Sequence, residues 1–112
     1  MQLSTSVLTT AVAALLTTTN AASCRRADSG DGYRFYVGAD DIENISDTCG
    51  LLWKNLDRFP TCFFVTNPTC NQGDKGWGHL HWEFSVSKAC NSGMVESSWW
   101  EATKNKKGHI NC

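Results

Sequence analysis

The sequence predicts an α+β sandwich: a four-stranded antiparallel sheet with two helices on one face, held by three disulfides. Three observations predict it. Leu80, Trp82, Phe84 and Val86 alternate with His79, His81, Glu83 and Ser85, as in a strand with helices on one side and water on the other. Two other segments repeat apolar residues at helical spacing. Six cysteines lie beyond a leader that has no charged side chain, and an even number in a short secreted chain reads as a disulfide framework.

Residues 1–21 read as a signal peptide. Val7-Leu8 and Ala11 to Leu16 form a short apolar core, and Thr19-Asn20-Ala21 supplies small residues for cleavage. Thr9, Thr10 and Thr17 to Thr19 interrupt the run, which falls short of the ~20 apolar residues of a membrane-spanning helix. Residues 22–112 then form one domain, expected to be a secreted monomer. Ten basic and eleven acidic residues leave it nearly neutral, which argues against a general polyanion binder but leaves local contact with nucleic acid open. Asn44-Ile45-Ser46 is a glycosylation sequon, whereas Pro68 disqualifies Asn67-Pro68-Thr69.

Taken in order, residues 24 to 32 are small and polar around Gly30 and Gly32 and read as a lead-in. Tyr33 to Val37 is a first strand, with Tyr33, Phe35 and Val37 on one face and Arg34 and Tyr36 on the other. Asp40 and Glu43 form a capping-box-like start to a helix whose inner stripe is Ile42, Ile45, Cys49, Leu52 and Leu56. Cys62 to Thr66 reads as a second strand, and a loop through Gly76 leads into the central strand. Ser92 is a candidate N-cap for a second helix with Met94, Val95, Ser98, Trp99 and Ala102 inside. Gly108 suits the C-terminal cap after Lys104, Lys106 and Lys107, and His109 to Cys112 is a last short strand.

The order β-α-β-β-α-β is that of the split βαβ, ferredoxin-like sandwich. There the start of the first strand adjoins the end of the last, which brings Cys24 to Cys112. For the other four cysteines the topology favours Cys62–Cys90 with Cys49–Cys70, with Cys49–Cys90 and Cys62–Cys70 nearly as good, since sequence alone does not settle connectivity. With its signal peptide, six cysteines and element order, the chain resembles the small secreted effectors of plant-associated fungi whose fold matches the subunits of a smut-virus killer toxin. The resemblance covers all of residues 22–112 and is architectural. It implies a secreted virulence or antagonism factor with a host or competitor protein, or a cell-surface component, as partner. It carries no enzymatic residues over. Arg25-Arg26 would suit dibasic processing, but a cut there would strand Cys24, so a basic surface pair is expected.

His79, His81 and Glu83 share the open face of the central strand with Arg34 and Tyr36 of the first. Two imidazoles, a carboxylate and a guanidinium are the parts that phosphodiester cleavage needs: a base, an acid and a cation for the developing phosphorane. A solvated sheet face carries the same residue types. The histidines lie ~7 Å apart along the strand, close enough to share a metal, yet Glu83 and Asp74 are the only further ligands in view. No metal or cofactor is therefore expected. Arg25 and Arg26, gathered with Lys104, Lys106, Lys107 and His109 by the Cys24–Cys112 link, would make a basic patch able to touch phosphate or anionic lipid. Of five tryptophans, Trp53, Trp82 and Trp99 fall on inner faces, while Trp77 and Trp100 do not and are candidate anchors for a protein or glycan. The expected function is a non-enzymatic effector or toxin-like protein. The alternatives are a ribonuclease-like enzyme using His79, His81, Glu83 and Arg34, and a carbohydrate or cell-wall binder using Trp77 and Trp100.

Overall fold

The computed structural model describes residues 22–112, so the leader read over residues 1–21 lies outside the described residues. The domain is α+β. Strands β1 (Ser23–Ser29), β2 (Gly32–Ala39), β3 (Thr66–Gln72) and β4 (Leu80–Ser87) form one sheet in the order β1-β2-β4-β3. Every neighbouring pair is antiparallel. Helices α1 (Ile45–Leu56) and α2 (Ser92–Thr103) cover one face. β2, α1 and β3, with β4 inserted between the two strands, follow the split βαβ plan that the sequence predicts.

The fourth strand is not the expected one. Residues His109 to Cys112 are irregular, and the edge beside β2 belongs to β1, the segment read as a lead-in. A two-residue turn explains the exchange. Gly30, at φ 62°, and Asp31 connect Ser29 to its partner Gly32, and a left-handed first residue is what a short hairpin between right-twisted strands requires. β1 therefore pairs locally, at little cost in loop closure. Cys112 still reaches the edge because it is bonded to Cys24. The remaining bonds are Cys49–Cys70, tying α1 to β3, and Cys62–Cys90, tying the 3₁₀ turn Pro60–Cys62 to the loop before α2. Among the described residues no cysteine is free, a state suited to an oxidising compartment.

The core lies between sheet and helices. Phe35, Val37, Leu80, Trp82 and Phe84 of the sheet meet Leu52 and Leu56 of α1 and Val95 and Trp99 of α2, all essentially without exposure. Trp53 stands edge-on to both Trp82 and Phe84 at 5.7 Å. Two fully buried indoles differ in their polar atom. Trp99 Nε1 donates to the Gly108 carbonyl at 3.0 Å, whereas Trp82 Nε1 has no acceptor among the described residues.

Several boundaries move for identifiable reasons. The N-cap of α1 is Asn44, whose side chain accepts from the Asp47 amide. Asp40 is drawn away to His79 instead, and Asp41 has φ 60°, which no helix tolerates. The N-cap of α2 is Asn91, one residue before Ser92, and its C-cap is Lys104 in a left-handed conformation, not Gly108. The second strand begins at Thr66, four residues later than its aromatic content suggests, and Phe63 and Phe64 precede it in the open. Pro68 is tolerated because β3 is an edge strand. Among the described residues no helix is long and apolar enough to cross a membrane.

Candidate functional site

The open face of the sheet carries the titratable residues, in rows set by the strand register. Arg25, Tyr36, Glu83 and Thr69 form one row across β1, β2, β4 and β3, and Ser23, Gly38, His81 and Asn71 form the next. Arg34 lies opposite Ser85, one rung from Glu83. Each of its three nitrogens is engaged: Nε donates to Glu83 Oε2 at 2.7 Å, Nη1 to Ser85 Oγ at 2.8 Å and Nη2 to the Asn67 carbonyl at 3.2 Å. The other Glu83 oxygen lies 2.7 Å from His81 Nε2. The His81 hydrogen bond, reinforced by the Arg34 pairing, holds the Glu83 carboxyl below the usual carboxylate range, although its partial burial acts in the opposite direction.

His79 precedes β4 and does not pair with Glu83. Its Nδ1 lies 2.7 Å from Asp40 Oδ1, and its ring lies between two glycines. A Cβ at Gly73 would come within 2.6 Å of the His79 ring, and one at Gly38 would stand 3.4 Å from Nε2. Each imidazole thus has one nitrogen held by a carboxylate, leaving Nε2 of His79 and Nδ1 of His81 for other partners. Both rings line a shallow cleft of about 340 Å³ together with Arg25, Tyr36, Gly38 and Lys75. Sequence reasoning missed Arg25 and Lys75 as members of this group. Arg25 reaches it only because β1 is a strand, and Lys75 because the β3–β4 loop brings it to the cleft. Among the described residues no three His, Cys, Asp or Glu side chains are grouped as a metal would need.

The basic patch expected around the Cys24–Cys112 bond does not form as one surface. Arg25 lies over the Tyr36 ring on the open face, at 3.9 Å from its centroid. Arg26 points to the helix side, over Tyr33 and within hydrogen-bond distance of Ser92 Oγ. Alternation along a strand separates neighbours in sequence onto opposite faces. Lys104, Lys106 and Lys107 instead line a groove with Asn44, Thr48 and Leu51 at the start of α1. Asn44 is exposed, and its cap uses Oδ1, so the amide nitrogen that a glycan would modify takes no part in that bond.

Trp77 and Trp100 stand out of the core at 86% and 42% exposure. The loop beneath Trp77 is tied down: Ile42 donates to the Gly78 carbonyl, Gly73 to the His79 carbonyl and His79 to the Gly76 carbonyl. Phe63 and Phe64 form a second exposed aromatic pair, edge-to-face at 5.1 Å. Their sequence reads as strand, whereas in the structure they follow the 3₁₀ turn Pro60–Cys62 and precede β3. The chain matches no protein-family model, no curated protein and no solved structure.

Proposed function

We propose that this is a secreted, non-enzymatic protein of effector or toxin type that acts by binding a partner outside the producing cell, a host or competitor protein or a cell-surface component. One observation carries the proposal: the Trp77 indole is held 86% exposed on a loop whose backbone is hydrogen-bonded from both sides. A large amphipathic ring on an ordered loop loses little conformational entropy on binding, which is the property of an interface anchor. The disulfides suit life outside the cell. Arg34, the cation expected of a catalytic face, already has each of its three nitrogens bonded, to Glu83, Ser85 and Asn67. The test applies purified, oxidised protein to leaf tissue and to cultures of competing fungi, beside Trp77→Ala and His79→Ala/His81→Ala variants. The expected result is a biological effect that Trp77→Ala loses and the double variant keeps. An effect that requires the histidines overturns the proposal.

One observation favours a ribonuclease-like enzyme as runner-up. Both imidazoles, each oriented by a carboxylate, line the same cleft, as an acid and a base on a phosphodiester would. Arg34 does not line that cleft, so the cation would have to be Arg25 or Lys75. Cleavage of RNA by the parent and not by the folded double variant would move the assignment there. Retention on chitin or glucan, lost in Trp77→Ala, would move it to the carbohydrate binder.

A further inference from the structure

The geometry points to a binding site for a phosphate-type oxyanion in the cleft formed by Arg25, Lys75, His79 and His81. Arg25 is held in place by stacking, its guanidinium carbon 3.9 Å from the centre of the Tyr36 ring. A stacked guanidinium keeps its N–H edge free, and that planar fork fits two oxygens of one anion. Among the described residues neither Arg25 nor Lys75 has an ion-pair partner. The nearby carboxylates are already engaged, Glu83 by Arg34 and His81 and Asp40 by His79. The cleft therefore presents two unneutralised cations and two imidazoles with a ring nitrogen to spare. Two cations around one small open cleft suit a tetrahedral oxyanion with several acceptors, and each imidazole, whose N–H faces its carboxylate, adds a donor from its second nitrogen only as the imidazolium. The glycines contribute by what they omit, since a side chain at Gly38 would crowd His79 Nε2 and one at Gly73 would displace the ring.

The site does not depend on the Trp77 surface, nor on any bond being cleaved. Its test is a ¹H–¹⁵N nuclear magnetic resonance titration of the oxidised protein at low ionic strength, where screening is weakest. Inorganic phosphate and adenosine 5′-monophosphate serve as separate probes, distinguishing the bare oxyanion from a phosphate carried on a larger group. The expected result is saturable shifts of the Lys75 amide and of the His79 and His81 rings with at least one probe. Arg25→Ala and Lys75→Ala should each weaken binding about tenfold, the usual effect of losing one charge-assisted contact. Lys75 lies in a loop, so its variant tests the site even where Arg25→Ala disturbs the edge strand. Shifts that never saturate with either probe, or equal affinity in the parent and Lys75→Ala, overturn the proposal.

Discussion

Arg34 and Glu83 are locked together across β2 and β4, Nε of the one 2.7 Å from Oε2 of the other, while His81 holds the second carboxylate oxygen at 2.7 Å. The pair stands on the open face and is bonded in turn to Ser85, Asn67 and His81. It therefore braces the sheet and orients His81, and the cations left for a ligand are those further out, Arg25 and Lys75.

Acid should expose this bracing. The Glu83 carboxyl is lowered in the folded protein, by the His81 hydrogen bond first and Arg34 next. Its stabilisation is complete above the unfolded value of about 4.3 and is lost as pH falls through the lower folded value. Thermal midpoints measured from neutral pH downward should fall in the acid range for the parent. Glu83→Gln should be less stable at neutral pH and lose less on acidification. Parallel acid limbs for the two proteins would show that Glu83 is not the group responsible.

Gly73→Ala should dislodge His79. The added methyl would lie 2.6 Å from the ring and 3.2 Å from His81 Cβ, so the imidazole must leave its place beside Asp40. Changed His79 ring resonances with the remaining core resonances unmoved is the expected spectrum. An unaltered His79 environment would contradict the packing described.

The two buried indoles should respond differently to loss of their nitrogen. Trp99→Phe removes the donor to Gly108 and leaves that carbonyl without it, at a cost of about 1–3 kcal/mol beyond the lost apolar area. Trp82→Phe removes a donor that has no partner among the described residues, and only the area term remains. Chemical denaturation of both variants checks the difference, which should leave Trp99→Phe the less stable.

Opening Cys24–Cys112 should cost the most of the three bonds. It spans 88 residues, against 28 and 21 for the others, and the loop-entropy model assigns a closure of that length about 4.6 kcal/mol. The Cys24→Ser/Cys112→Ser variant should show a loss of that order in denaturant, with hydrogen exchange rising first in β1 and in residues 104–112.

The legible parts of the fold were those whose signal is repeated. β4 declared itself through four alternating apolar residues, and α1 through a stripe from Ile45 to Leu56. β1 was illegible because it is an edge strand: Arg25, Arg26 and Asp28 are the charged residues that keep such an edge from pairing with other chains, and they mask strand periodicity. Phe63 and Phe64 misled for the opposite reason, since aromatic residues favour strands in general, whereas here they lie exposed between the 3₁₀ turn and β3. Of the candidate site, His79, His81, Glu83 and Arg34 were visible as types, but their pairing was not. Asp40, which orients His79, reads in sequence as a helix cap.

Composition and periodicity are properties of neighbouring residues, so the sequence by itself determined the α+β class, the helix-facing side of the central strand and the buried and exposed tryptophans. The edge of the sheet was a competition between the two ends of the chain. Only the tertiary structure decided it, because a two-residue turn makes β1 the nearer partner of β2, whereas residues 109–112 pair with no strand and are held by the Cys24–Cys112 bond, the buried Ile110 and the Cys112 amide's hydrogen bond to Glu96. That outcome places Arg25 across from Tyr36 on the histidine face and sends Arg26 to the other side. Two adjacent arginines thereby enter different surfaces, and which of them meets a ligand is set by strand register.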